Sequence, residues 1–157
     1  MQQHATITAA TLIRNDNMRP IRKDRGRPIH SLLASFSAAY FVGALVTDIV
    51  YWQIPDVLWE RFSIWLIVAG LVMAGLAVLA YVINSLAGRR RRSRSAWPRL
   101  IGYALAVSLA VINAFVHSRD GYTAVVPSGL MLSASVVIAL VLAEIATALA
   151  NRRRVGG

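Results

Sequence analysis

Cysteine is absent from the sequence. Its absence excludes disulfide bonds, thiolate-ligated iron–sulfur clusters and cysteine nucleophiles together. Charge is also scarce, because only 15% of the 157 residues are charged whereas 57% are apolar. An average soluble domain carries about 25% charged residues. The composition therefore points away from an ordinary water-soluble fold.

Lysine and arginine are missing from four long stretches. These stretches are residues 31–51, 63–86, 100–117 and 124–150. Each is close to or above the roughly 20 apolar residues that cross the hydrocarbon core of a bilayer, which is about 30 Å thick. We therefore predict an all-α membrane protein, an up-down bundle of four transmembrane helices.

The predicted organisation is a basic leader, residues 1–27, followed by a transmembrane domain, residues 28–157. The leader is polar, so we expect it to be poorly ordered and cytoplasmic. It lacks the apolar segment of a cleavable signal peptide, and the choice between Met1 and Met18 as the true start stays open. The four helices are predicted at about 30–51, 63–86, 99–117 and 124–150.

The basic residues are distributed unevenly between the connections. Of the 17 lysines and arginines, six lie in residues 14–27, six in 89–99 and three in 152–154, which leaves Arg61 and Arg119. The positive-inside rule then places both termini and the central loop in the cytoplasm of a bacterial inner membrane. A nucleic-acid-binding arm would not alternate with apolar segments, so no nucleic-acid partner is expected despite the net charge of +10.

The central loop carries a run of arginines, namely Arg89, Arg90, Arg91, Arg92 and Arg94. Cationic side chains beside a membrane attract anionic lipids. We predict that this run contacts the headgroups of an anionic inner leaflet, with docking of a partner protein as the alternative.

Small residues recur at every fourth position of three predicted helices. The set comprises Ser31, Ser35, Ala39, Gly43 and Thr47 in the first helix, Gly70 and Ala74 in the second, and Gly102, Ala106, Ala110 and Ala114 in the third. Such stripes let membrane helices approach closely. We expect them at helix–helix contacts, and they leave open a homo-oligomer or a membrane-protein partner.

Five polar side chains are candidates for a functional or a structural role, namely His30, Asp48, Asn113, Arg119 and Glu144. A carboxylate in hydrocarbon is costly, so Asp48 and Glu144 are the candidates for proton or ion handling. In the structural interpretation, Arg119 or water satisfies Asp48, and Glu144 reaches toward the arginine-rich inner interface. Asn113 is placed to hydrogen-bond Asp48 across helices.

The histidines beside the helices, His30 and His117, lie at opposite membrane faces in this topology. Because about 30 Å separates them, they cannot share one haem or one metal ion. His30 is the remaining candidate ligand for a haem or a quinone; otherwise it marks the start of helix one. His117 is assigned to the interface and the following turn. We predict no metal site, no bound cofactor and no catalytic activity.

Several strings resemble the Domain of Unknown Function 2231 family of small bacterial inner-membrane proteins. They are "RPIHSLLASFSAAYFVGALVTDIVYW", "FSIWLIVAGLVMAGLAVLAYVINSL", "AWPR", "VINAFVHSRDGYTAVVPSGLMLSA" and the final "VGG". The "HSRDGYT" turn and the spacing from His30 to Asp48 are the specific parts. The resemblance covers about residues 26–157 and implies a multi-pass inner-membrane fold.

The sequence also departs from that family's pattern. Ser31 and Ser37 stand where family members carry prolines, and Arg99 stands where they carry a histidine. If the family uses histidines at the inner face as redox-cofactor ligands, this chain retains only His30. The function we expect is a structural or accessory membrane component. The alternatives are a small proton-coupled transporter that uses a membrane carboxylate, and a redox subunit that binds haem or quinone near His30.

Overall fold

Four long α-helices make up most of the computed structural model, which describes residues 28–87, 97–119 and 125–155. They are α1 (Ile29–Gln53), α2 (Val57–Leu86), α3 (Trp97–His117) and α4 (Leu130–Val155). A short kinked segment, Val125–Gly129, in which the backbone of Val126 is extended, leads into α4. All four spans are long and apolar enough to cross a membrane. No strand occurs within the described ranges, and the predicted all-α fold is confirmed.

Two predicted features lie outside the described residues. They are the basic leader, residues 1–27, and the arginine run, residues 89–94.

The second helix begins earlier than the sequence pattern indicates. The sequence pattern predicts a start at Ser63, because it assigns Glu60 and Arg61 to the preceding loop. In the structure α2 begins at Val57, since the side chain of Asp56 accepts a hydrogen bond of 2.9 Å from the backbone N–H of Leu58. An aspartate that caps in this way is a strong helix start signal. The connection between α1 and α2 is therefore only residues 54–56 long.

The helices pack as two hairpins. α1 packs mainly on α2, and α3 packs mainly on α4; the hairpins meet where α1 contacts α4 and α2 contacts α3. Each helix thus lies beside its neighbours in the chain and α1 lies beside α4, which is the arrangement of an up-down bundle. The interior between the hairpins is built from Phe41, Ala106, Ala110, Val136 and Ala139.

Small residues allow close contact at two places in this interior. The ring of Phe41 lies against Gly70, where an added Cβ would come within 2.7 Å of a ring carbon. At Gly102 an added Cβ would overlap the Cβ of Ala143. Gly70, Ala74, Ala106 and Ala110 are buried. The stripes in the second and third helices therefore lie at helix contacts.

Only the later part of the stripe in the first helix lies at a helix contact. Thr47 is buried and Gly43 faces Leu66 of α2, whereas Ser35 and Ala39 are exposed. The buried face of α1 consists of Ser37, Phe41, Ala44, Thr47, Asp48 and Tyr51. The position of Asp48 explains why this face of α1 turns inward, since a carboxylate in hydrocarbon has to face the protein interior. Ser37 adds to it by donating a hydrogen bond of 2.9 Å to the carbonyl of Gly70.

Large apolar side chains cover the outside of the bundle. Trp65 is 71% exposed, Phe115 68% and Ile29 69%, and many other large apolar residues are exposed with them. A water-soluble monomer rarely exposes contiguous apolar surface on this scale. The outer surface is therefore one that lipid solvates.

Candidate functional site

All four helices meet at one buried carboxylate. The side chain of Asp48, on α1, has no exposed surface. Its Oδ1 accepts a hydrogen bond from the hydroxyl of Ser63 on α2, and its Oδ2 accepts one from the hydroxyl of Ser133 on α4. Nε2 of His117, the last residue of α3, lies 3.2 Å from Oδ1. The side chain of Asp48 thus contacts side chains from all three other helices.

Asn113 completes this group of side chains, which we call the Asp48 cluster: Asp48, Ser63, Asn113, His117 and Ser133. The amide nitrogen of Asn113 donates a hydrogen bond of 2.7 Å to the hydroxyl of Ser133. The backbone carbonyl of Asn113 lies 3.1 Å from Nδ1 of His117. The side chains of Asp48 and His117 are fully buried, and Asn113, Ser63 and Ser133 are at most 2% exposed. The cluster is therefore shielded from both lipid and water.

The chain builds the cluster through its two hairpins. In an antiparallel helix pair, residues equally far from the connection lie side by side. Asp48 and Ser63 lie at nearly equal distances from the short connection at residues 54–56. Asn113 comes four residues before the end of α3 and Ser133 three residues after the start of α4, so this pair too lies at nearly equal distances from its connection. Packing the two hairpins together then brings both polar pairs into one site.

The cluster lies near one end of the bundle. Asp48 comes five residues before the end of α1, which corresponds to about 7.5 Å along the helix axis. The end concerned is the one that carries the 54–56 connection and the connection between α3 and α4. A proton that moves between the cluster and the aqueous phase therefore has to cross only this end of the bundle.

The structure places the predicted polar residues of this end differently from the pairing we expected. Asp48 is satisfied by side chains of the bundle, whereas Arg119 is exposed and is not among its partners. Asn113 hydrogen-bonds Ser133, so it acts on Asp48 through that hydroxyl. His117 lies at the end of α3, and its side chain is fully buried against Asp48 and does not face the following turn.

The other two candidates lie toward the opposite end of the bundle. Oε1 of Glu144 on α4 lies 2.8 Å from Nε of Arg99 in the first turn of α3. These side chains are 59% and 47% exposed, respectively. His30 lies in the first turn of α1 with its ring edge-on to Tyr81, at a centroid separation of 6.0 Å. Neither Glu144 nor His30 belongs to the Asp48 cluster.

Sequence reasoning missed three members of the cluster: Ser63, His117 and Ser133. The two serines carry no signal of their own, because hydroxyl groups are common in membrane helices, where they also bond the backbone of their own helix. A usable signal was the position of Asp48 and Ser63 across a short connection. His117 was missed because its place before "SRDG" indicates the membrane interface and the following turn.

The cluster contains two groups that can exchange a proton, a carboxylate and an imidazole, together with hydroxyl and amide groups that hold them in place. Nowhere in the described ranges are three or more histidine, cysteine, aspartate or glutamate side chains grouped so that they could hold a metal ion. The chemistry that the residues of this site themselves offer is hydrogen bonding and proton binding.

Four lipid-facing helices around a buried polar cluster define a multi-pass α-helical membrane protein. The family described as "Predicted membrane protein (DUF2231)" matches residues 26–156. The chain belongs to this family, and the resemblance inferred from the sequence is confirmed. No curated protein and no solved structure matches the chain.

Proposed function

We propose that the protein is a structural or accessory component of a bacterial inner membrane, with no catalytic activity of its own. The observation that carries this proposal is that the fully buried carboxylate of Asp48 is bonded inside the bundle. The partners of Asp48 come from α2, α3 and α4 of the same bundle. A buried carboxylate that is bonded from three other helices favours one arrangement of the helices.

The orientation in the proposal has both termini in the cytoplasm. The basic residues support it, since 15 of the 17 lie in the leader, the central loop and the C-terminal segment. In this orientation the Asp48 cluster lies near the outer face, and the arginine run at residues 89–94 contacts anionic headgroups of the inner leaflet.

The exposed small-residue face of α1 supports an accessory role. Ser35 and Ala39 face outward, on a helix whose other exposed side chains include Phe36 and Val42. Small residues on a lipid-facing surface allow a second helix to approach closely. A second copy of this chain or another membrane protein is the partner expected there.

Crosslinking in native membranes tests the accessory role, and the cysteine-free chain allows single-cysteine variants. Ala39→Cys is expected to give a specific disulfide-linked or thiol-crosslinked adduct. The matched control is Leu79→Cys, which lies on the exposed surface of α2 away from the small-residue face. Adducts of equal yield at both positions, or at neither, would contradict a specific partner at α1.

A second candidate function is a proton-coupled carrier that uses Asp48, and the contact between Asp48 and His117 favours it. Purified protein in liposomes would then conduct protons, and Asp48→Asn would abolish the flux. Glu144→Gln is the control, since Glu144 is half-exposed and paired with Arg99. Flux no greater than that of empty liposomes would eliminate the carrier.

A further inference from the structure

The hydrogen-bond directions around His117 define how many protons the cluster holds. Nδ1 lies 3.1 Å from the backbone carbonyl oxygen of Asn113, and Nε2 lies 3.2 Å from Oδ1 of Asp48. A carbonyl oxygen can only accept a hydrogen bond, so Nδ1 carries a proton. If the ring were neutral, Nε2 would then have no proton and its lone pair would face the carboxylate.

A further proton between Nε2 and Oδ1 removes the repulsion between this lone pair and the carboxylate. It resides either on His117 as an imidazolium or on Asp48 as a carboxylic acid. The serines distinguish the two forms. The amide nitrogen of Asn113 donates to Ser133, so the hydroxyl of Ser133 is free to donate its own hydrogen to Oδ2. The hydroxyl of Ser63 donates to Oδ1.

Two hydroxyl donors on one carboxyl group favour its ionised form, because hydrogen bonds to a charged acceptor are the stronger ones. We propose that the Asp48–His117 pair is a buried proton-binding site, which holds one proton as an imidazolium–carboxylate pair. The pair has no net charge while the proton is bound. Loss of the proton would leave an uncompensated negative charge inside the bundle, which is costly in a low dielectric.

The other titratable groups near the site come from several helices. On α2, Glu60 lies about one turn from Ser63, and the exposed Arg61 of opposite charge follows it directly; on α1, Tyr51 lies about one turn beyond Asp48. Just beyond the end of α3, Arg119 is exposed. On α1, Asp48 is itself the counterion, and the first two turns of α4 contain no titratable side chain. Asp120 and Tyr122, in the connection between α3 and α4, lie outside the described residues.

Nitrogen NMR of the histidines tests the proton count directly. The chain has three histidines, so replacing His4 and His30 by glutamine leaves the ring of His117 as the only signal. In lipid nanodiscs at neutral pH, both ring nitrogens are expected to be protonated. A signal with an unprotonated Nε2 at this pH would overturn the proposal.

Asp48→Asn supplies the second arm of this experiment. The amide has nearly the shape of the carboxyl group but carries no charge, so the imidazolium signal of His117 is expected to disappear. If the imidazolium persists in Asp48→Asn, the carboxylate of Asp48 is not what keeps His117 protonated, and the assignment fails.

The pH dependence of stability is a readout that needs no assignment of signals. An unfolded histidine releases its proton at about pH 6.5. Above this pH the folded state binds more protons than the unfolded state, so the Tm is expected to fall as the pH rises. His117→Gln should lower the Tm and flatten this dependence. A Tm that rises with pH would contradict the proposal, and so would a dependence of Tm on pH that is unchanged in His117→Gln. The control variant His30→Gln should keep the dependence of the unaltered protein.

Discussion

At the scale of single residues, the protein shows how one carboxylate is accommodated in a membrane bundle. Asp48 is surrounded by two serine hydroxyls and an imidazole that come from three other helices. Each of these groups would tend to bond its own backbone or solvent in isolation. Because all three groups contact Asp48, the cost of burying its carboxylate is offset by bonds between the helices.

Loss of a serine hydroxyl is expected to weaken the cluster. Ser133→Ala removes one donor to Asp48 and leaves the amide of Asn113 without its acceptor. A buried polar group left unsatisfied costs about 1–3 kcal/mol, so the Tm of the purified protein should fall clearly. Ser135→Ala is the control, because Ser135 is exposed and bonds the backbone of its own helix. Equal shifts for the two variants would show that Ser133 has no special role.

Glu144→Gln is expected to leave the stability nearly unchanged. The ion pair with Arg99 is short, at 2.8 Å, but both side chains are about half-exposed. Exposed ion pairs contribute less than about 1 kcal/mol. Thermal unfolding of Glu144→Gln beside Asp48→Asn measures the difference; a larger loss in Glu144→Gln would contradict the central place of Asp48.

At the scale of helices, close approach depends on the smallest side chains. At Gly102, α3 lies so close to Ala143 of α4 that no side chain fits, and Gly70 accommodates the ring of Phe41 between α1 and α2. These contacts fix the register of each helix pair. The register in turn sets which side chains reach Asp48, so the glycines position the cluster from a distance.

Gly102→Ala is therefore expected to separate α3 from α4. The new methyl group would overlap Ala143 Cβ, whereas at Gly75 an added methyl group meets no atom within 4 Å. Overpacking of this kind costs about 1–3 kcal/mol, while Gly75→Ala should stabilise α2 by up to about 1 kcal/mol. Tm values measured in one detergent compare the two variants. A loss of the same size at Gly75 would mean that helix contacts do not explain the effect.

At the scale of the whole molecule, the expected orientation follows from the basic residues alone, and single cysteines can test it. Ser118→Cys lies at an exposed position just beyond α3. Ser93→Cys lies in the arginine-rich loop. A membrane-impermeant maleimide added to spheroplasts should label Ser118→Cys at once and Ser93→Cys only after permeabilisation. The reverse pattern would invert the topology.

The four membrane spans could be predicted from the sequence because hydrophobicity and charge add up along a segment, whatever it packs against. The family also followed from local strings, chiefly the "HSRDGYT" turn. The sequence also shows that Asp48 is unusual, because an acidic residue within an apolar segment can be identified without knowing what it contacts. Segment-level properties were thus readable before any contact was known.

The partners of Asp48 were decided only by the tertiary structure. His117 and Ser133 lie 69 and 85 residues away from Asp48 along the chain. Which of them reaches the carboxylate depends on the rotation of each helix and on the register of both hairpins. Those quantities arise from packing of Phe41 on Gly70 and Gly102 on Ala143, contacts between segments that no local pattern specifies.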